Sequence, residues 1–219
     1  VAEVSDRRAQ APVLILGAGR QGRNINDVCA ALGRTVHGFL DDTRAIGEIV
    51  NGVEVIGGFA RAQDEDLIAA LAMIVGVGDS AARASIFETL CRRGACLTTI
   101  IHPTCVISPS AEIGRGVFVN AYTRIMANAR VADNVLIEGL CTIGADTRIE
   151  QSASLGPGCH LTAGVALGAR CFLGAGALVV GRGRVGCDSV IGAGATVLDP
   201  IADRAFGVGT PARVKRLLP

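Results

Sequence analysis

The residues Gly17-Ala18-Gly19-Arg20-Gln21-Gly22 carry the plainest chemical reading in this sequence. They follow a short apolar run, Val13 to Leu16, and precede a helical pattern from Asn24 to Leu32 that Gly33 stops. A G-x-G-x-x-G stretch between strand and helix suits a pyrophosphate, because the first N–H groups of the helix lack intrahelical partners and face the anion. Asp41 and Asp42 end a second strand-like run, Thr35 to Leu40, where a carboxylate can hold a ribose or another hydroxylated group. Taken alone, this spacing suggests a dinucleotide enzyme. The βαβ region is only half the size of a full dinucleotide fold, however, and no dehydrogenase-type substrate domain follows it. A nucleoside diphosphate presents the same pyrophosphate to the same loop. A tight strand-to-helix turn that binds nothing is the remaining alternative.

Metal and disulfide chemistry find little support. The eight cysteines include no C-x-x-C pair. The histidines are His37, His102 and His160, and a zinc site of the γ-carbonic anhydrase kind needs three imidazoles where the repeat body offers one. No metal is expected.

The elements that must position this chemistry come from a repeat. Six-residue steps from Ile101 to Val197 land on Ile, Leu or Val at all seventeen positions. Four residues after each step sits a small or narrow residue, such as Cys105, Ala129, Cys141, Cys159, Cys171 or Ala195. An amphipathic helix, with its 3.6-residue period, cannot keep a strict period of six. A hexapeptide period means a parallel β-helix: each hexad gives a short strand and a turn, and three hexads close a triangular coil. Half the residues are hydrophobic, yet the chain has no Trp, one Tyr and six Phe. A left-handed β-helix explains this, because its bore is too narrow for rings, and the 29 glycines suit its corners. The inward cysteines read as compact apolar fillers, which fits a reducing, cytoplasmic location.

The expected layout is therefore a flexible N-terminus (1–11), an α/β Rossmann-like domain (12–100), an all-β left-handed parallel β-helix (101–198), and an exit loop with a basic tail (199–219). The segment from Gly47 to Gly58 reads as irregular or a hairpin, and Leu97 to Ile100 as a last short strand. A formal net charge of +1 gives no electrostatic case for nucleic acid or an anionic membrane. No apolar run approaches the roughly 18–20 residues of a membrane span.

The fingerprint G-A-G-R-Q-G, the Ile101-His102-Pro103 lead-in, an uninterrupted hexapeptide helix and the ending Gly207-Val208-Gly209-Thr210-Pro211-Ala212-Arg213 resemble one family. It is the sialic acid O-acetyltransferase and bacillosamine-type nucleotide-sugar N-acetyltransferase family of hexapeptide acyltransferases. The resemblance spans Val13 to Val214. It implies a homotrimer with acetyl-CoA along the coil, lined by Gly174, Gly176, Gly192 and Gly194, with Arg213 near its nucleotide end. It implies a nucleotide-linked amino sugar on the N-terminal domain, at Gly17, Gly19, Arg20, Gly22, Asp41, Asp42, Gly78 and Asp79. Amine attack on a thioester needs proximity, a proton acceptor and a donor to the developing oxyanion.

Against the family's pattern, the corner Ile143-Gly144-Ala145-Asp146 puts Ala145 where a catalytic His is expected. Ser154 matches a second His, and Glu138 matches an asparagine on the preceding face. Alanine cannot take a proton. Glu138 is the first candidate base, since it follows an inward Ile and lies at a corner. Asp146, at the neighbouring corner, and His160, at an outward position, come next; each is alternatively a solvated surface residue. His102 and His37 are not expected in the site. Three functions compete: an acetyl-CoA-dependent N-acyltransferase on a nucleotide-linked amino sugar, a sialic-acid-type O-acetyltransferase, and a non-catalytic nucleotide-sugar-binding relative. The hydroxyl acceptor depends more on the missing base, so the amine is favoured.

Overall fold

A computed structural model describes residues 11–218. The 1–11 stretch expected to be flexible thus lies, but for Ala11, outside the described residues. The chain divides into two compact units at Ile100/Ile101.

The first unit alternates strand and helix: β1 (Val13–Leu16), α1 (Arg20–Ala31), β2 (Val36–Leu40), β3 (Ile49–Val50), β4 (Val53–Gly57), α2 (Glu65–Ala70), β5 (Ala72–Val75), α3 (Ser80–Arg92) and β6 (Cys96–Leu97). The sheet order is β3-β4-β2-β1-β5-β6, parallel except for the β3–β4 hairpin. The Gly47–Gly58 region left open by sequence is thus this hairpin, with Asn51-Gly52 at its tip, both at positive φ. Strands β1 and β5 are buried along their whole length, as expected of strands covered on both faces. From central β1 the chain winds outward through β2 in one direction and β5 in the other. The loops leaving β1, β2 and β5 therefore meet at one switch point, where open α/β sheets bind ligands. The expected strand at Leu97 to Ile100 splits: Cys96–Leu97 pairs with β5, and Ile100–Ile101 belongs to a different sheet.

In the second unit every hexad gives a two-residue strand whose second member is the aliphatic step. Val119 pairs with Ile137, Ile125 with Ile143 and Val131 with Ile149, all parallel and eighteen residues apart. Three hexads therefore make one turn. They build three parallel stacks of six, six and five short strands, the first of which two later strands extend to eight. The aliphatic steps from Val119 to Val197 and the small residues between them form one core along the prism. Each fully buried Val, Leu or Ile contributes roughly 1.5–3 kcal/mol. Ile101, Ile107 and Ile113 are only partly buried. They lie in the first coil, which has no earlier coil beneath it. Corners recur with a left-handed residue every six positions, among them Asn128, Asn134, Leu140, Asp146 and Ser152. Asn and Asp tolerate that conformation through local hydrogen bonding, and the coil imposes it on Leu140 regardless.

The cysteine thiols are all unbridged. Cys141 Sγ donates to the Gly156 carbonyl at 3.3 Å and Cys159 Sγ to that of Gly174 at 3.2 Å. Burial pushes the Cys171 thiol up to about 12, so it stays neutral filler.

Past Val197 the structure differs from the exit loop and tail read in the sequence. Ala205–Val208 pairs parallel with Val190–Ile191, and Arg213–Leu217 turns back antiparallel onto Ala205–Val208. The final coil leaves unpaired backbone groups, and these two strands satisfy one edge of them. Every residue of the last strand is exposed. It thus lacks the apolar alternation by which a half-buried strand is read from sequence. The Arg216 guanidinium lies 5.6 Å from the centre of the Phe206 ring, holding the strand against its neighbour.

Candidate functional site

The glycine turn is built by contact between backbones. A Cβ on Gly22 would sit 1.8 Å from the Gly17 carbonyl oxygen, and one on Gly76 would sit 2.8 Å from the Gly22 Cα. Gly17 is itself at φ +109°. The helix start, the β1–α1 turn and the end of β5 therefore close on one another at a distance only glycine permits. Gly76 was not singled out in the sequence. Its signal lies in the paired Gly76-x-Gly78 at the end of a buried strand.

Helix α1 begins at Gly19 with no side-chain cap and no acidic residue in its first turn. Its first N–H groups thus lack intrahelical partners and carry the positive end of the helix dipole. Helix α3 is the opposite case: Asp79 caps it, its Oδ1 accepting from the Ala82 N–H at 2.8 Å. Of the two helix starts beside the sheet, α1 is the one left open for an anion. Asp79, expected among the substrate ligands, serves as a cap.

A cavity of about 380 Å³ opens here, lined by loops from the carboxyl ends of β1, β2 and β5. Gly17, Gly19, Arg20, Asp41, Asp42 and Gly78 all border it, as do Gln21, Thr43, Phe59, Gly76 and Val77. Gly22 lies behind the turn rather than on the wall.

The two aspartates are already engaged. Asp41 Oδ2 accepts from the Ala18 N–H at 2.7 Å, and Oδ1 accepts from the Thr43 N–H and hydroxyl at 2.8 and 2.6 Å. Burial pushes the Asp41 carboxyl up, but the hydrogen bonds from Thr43 and Ala18 outweigh it and hold the group below its ordinary value. Asp42 Oδ1 accepts from the Phe59 N–H at 2.7 Å. Asp41 therefore ties the β2 loop to the glycine turn as well as facing the cavity.

Arg83 fixes the third loop from behind. It is fully buried, and its guanidinium donates to the carbonyls of Val77 at 3.1 Å and Gly78 at 3.2 Å. Burial lowers its pKa to about 10, which leaves it protonated at neutral pH. An arginine inside a helical pattern gives no sequence signal of such a role.

In the coil, the three candidate bases fall on different rows. Glu138 follows Leu136–Ile137 of the eight-stranded sheet, in the corner row of His102 and Asn120. Asn120 Nδ2 donates to Glu138 Oε2 at 3.0 Å. The same Asn120 accepts from the Ala121 N–H through Oδ1 at 2.8 Å, so its amide is fixed with its donor toward the carboxylate. Asp146 is exposed on the next corner, accepting from Asn128 Nδ2 at 3.2 Å. His160 is exposed on a strand, beside Thr142 and Leu178. A single chain does not bring the three together. Ala145 is half-buried, in a row with Ala127 and Ala163, and Ser154 is 4% exposed.

The glycines expected along the cofactor divide into two kinds. Added Cβ atoms at Gly174 and Gly192 would press on Ala193 at 2.5 Å and Val208 at 2.7 Å, so these two are packed under the next coil. Gly176 and Gly194 take left-handed φ of +70° and +67° and face open space, with nothing within 4 Å of an added Cβ. They leave an uncovered corner on which a thin chain can lie. Arg213 Nη1 pairs with Asp199 at 3.1 Å, both exposed. Among the described residues, no group of His, Cys, Asp or Glu could hold a metal, and no helix is long and apolar enough to cross a membrane.

Comparison with known proteins places these features. Residues 12–90 match the PglD N-terminal domain family. No curated protein sequence matches the chain. Among solved structures, a histidine-to-asparagine variant of perosamine N-acetyltransferase from Caulobacter crescentus, in complex with CoA and GDP-perosamine, is 31% identical. That match covers 94% of this chain and 97% of the other, with a TM-score of 0.89. The acetyltransferase domain of PglB from Neisseria gonorrhoeae, in complex with acetyl coenzyme A, is also 31% identical, over 93% of this chain and 98% of that one, with a TM-score of 0.88. WeeI from Acinetobacter baumannii, at 20% identity and a TM-score of 0.82, shares the fold. Near-complete coverage in both directions, together with the hexapeptide coil and the glycine turn, decides the assignment: this chain belongs to the hexapeptide-repeat acetyltransferase family of perosamine N-acetyltransferase and the PglB acetyltransferase domain.

Proposed function

We propose that this chain is an acetyl-CoA-dependent N-acetyltransferase that acylates the amino group of a nucleotide-linked amino sugar. The observation that carries the reading is the preformed cavity at the switch point of the N-terminal sheet, with an uncapped helix start beside it. Such a cavity suits a nucleoside diphosphate. Two relatives support the remaining parts: one is complexed with GDP-perosamine and CoA, the other with acetyl coenzyme A.

In this reading Gly17, Gly19, Arg20 and Gly78 surround the diphosphate, and Asp42 faces the ribose or base. Asp41 and Asp79 hold the surrounding loops. The open corners at Gly176 and Gly194 fit an extended pantetheine arm, and Arg213 offers a cation for its nucleotide end. Acetyl-CoA supplies an activated acyl group as a thioester. Glu138 accepts the proton that the sugar nitrogen loses as its bond to the acyl carbon forms, and that proton leaves with the thiol. Asn120 holds the Glu138 carboxylate from one side. Ala145 cannot perform this step, and neither Asp146 nor His160 shares the Glu138 row. The assembly is a homotrimer, with its sites completed between neighbouring subunits, and the unbridged thiols fit a reducing, cytoplasmic setting.

Thiol release and product mass, followed with acetyl-CoA and a panel of UDP-, GDP- and dTDP-linked amino sugars, test the proposal. Acylation of at least one amine is expected. Acylation of a hydroxyl on the matching neutral sugar would favour the O-acetyltransferase, and binding without transfer would favour the non-catalytic relative.

A further inference from the structure

Gln21 is the second residue of α1, and it borders the switch-point cavity while only 9% of the residue is exposed. Its amide nitrogen Nε2 is shut off from solvent and has no hydrogen-bond partner. A buried amide without a partner forgoes the hydrogen bonds it would make in water, and folded proteins seldom keep one without a reason. The nearby acceptors do not relieve it. Asp41 and Asp42, which border the same cavity, accept instead from Ala18, Thr43 and Phe59. An amide donor buried in the first turn of an uncapped helix, in a residue that borders a polar cavity, lacks an acceptor that an oxygen entering that cavity can supply.

We propose that Gln21 is a substrate-recognition residue whose Nε2 donates a hydrogen bond to an acceptor oxygen of the bound nucleoside diphosphate. The inference rests on the functional reading above and adds to it a side chain that neither the glycine spacing nor the two aspartates indicate. Its partner is an oxygen acceptor, since Nε2 can only donate. Phosphate oxygens are the acceptors that the neighbouring helix start favours.

This role gives two effects of opposite direction on one substitution. Gln21→Met keeps the length and volume of the side chain and removes the unsatisfied amide. The unliganded full-length protein is expected to melt no lower than wild type, and its affinity for acetyl-CoA is expected to be unchanged. Its affinity for the nucleoside diphosphate that wild type binds is expected to fall about ten- to a hundredfold, the range for a hydrogen bond to a charged group. The experiment is isothermal titration of wild type and Gln21→Met with UDP, GDP, dTDP and acetyl-CoA, beside thermal melts without ligand. Equal diphosphate affinity in the two proteins would remove Gln21 from recognition while leaving the functional reading intact. A lowered melting temperature with parallel loss of acetyl-CoA binding would make Gln21 a structural residue instead. Failure of wild type to bind any of the three diphosphates would overturn the functional reading, and this inference with it.

Discussion

The switch-point cavity and the coil corners place polar groups by different means. Around the cavity, side chains are bound to the backbone of other loops: Asp41 to Ala18, Asp42 to Phe59, and Arg83 to Val77 and Gly78. Three glycines then lock helix, turn and strand together. At the corners, polar side chains meet their equivalents eighteen residues away, as Asn120 does Glu138, Asn128 does Asp146 and Arg170 does Asp188. The cavity is therefore a three-dimensional constellation formed within one sheet. The corners form ladders, which repeat a geometry but gather only residues of a single row. A single chain can finish the first kind of site. The second kind supplies only one or two such groups per row.

Substitutions can break this contrast at either end, and the largest effect is expected at the corner. Glu138→Gln keeps an acceptor for Asn120 and so preserves the fold, while removing the proton acceptor. A drop in kcat of about a hundredfold or more, with melting temperature within a degree or so of wild type, is the expected result of steady-state kinetics and thermal melts. Unchanged kcat would take the base role away from Glu138. The same kinetics on Asp146→Asn and His160→Asn should show little change.

Next in size is Gly22→Ala. The added methyl meets the Gly17 carbonyl, a backbone atom that cannot swing aside. Destabilisation of the N-terminal unit by about 3 kcal/mol is expected, with loss of nucleotide binding. Because the coil has its own core, its strand signal in circular dichroism should persist through the first melting transition.

These two sites also show how far the sequence could be read. The prism was legible because its bore admits only aliphatic and small side chains, so one physical constraint repeats at every sixth residue. The glycine turn was legible because close backbone approach excludes other residues at Gly17 and Gly22. What escaped were contacts made at a distance in sequence. Arg83 looks like a surface residue of α3, Gln21 fills an unspecified position of the motif, and Asn120 meets Glu138 only once the eighteen-residue turn is known. The closing strand Arg213–Leu217 gave no such signal because it satisfies an edge rather than burying a face.

A smaller effect separates the two roles of Asp41. Its folded pKa is depressed, so its contribution to stability is present above the ordinary value of 3.8 and is lost as pH falls through the lower folded value. Asp41→Asn should cost about 2 kcal/mol at neutral pH, since an amide cannot accept from all three donors. As pH falls below 3.8 the gap between variant and wild type should shrink in urea titrations.

The smallest effect concerns the exposed Arg213–Asp199 pair. Arg213→Ala should change stability by less than about 0.5 kcal/mol. A raised KM for acetyl-CoA in that variant, with KM for the sugar unchanged, would sharpen the assignment of Arg213 to the CoA end.

The proposed N-acetyltransferase function requires the nucleotide of its substrate as well as the amine. Its most direct test compares acetyl transfer from acetyl-CoA to a nucleotide-linked amino sugar with transfer to the same amino sugar lacking the nucleotide. The expected result is a kcat/KM higher for the linked sugar by two or more orders of magnitude, abolished when Gly22→Ala disrupts the turn. Equal rates on both acceptors, or no transfer to any linked sugar, would contradict the account.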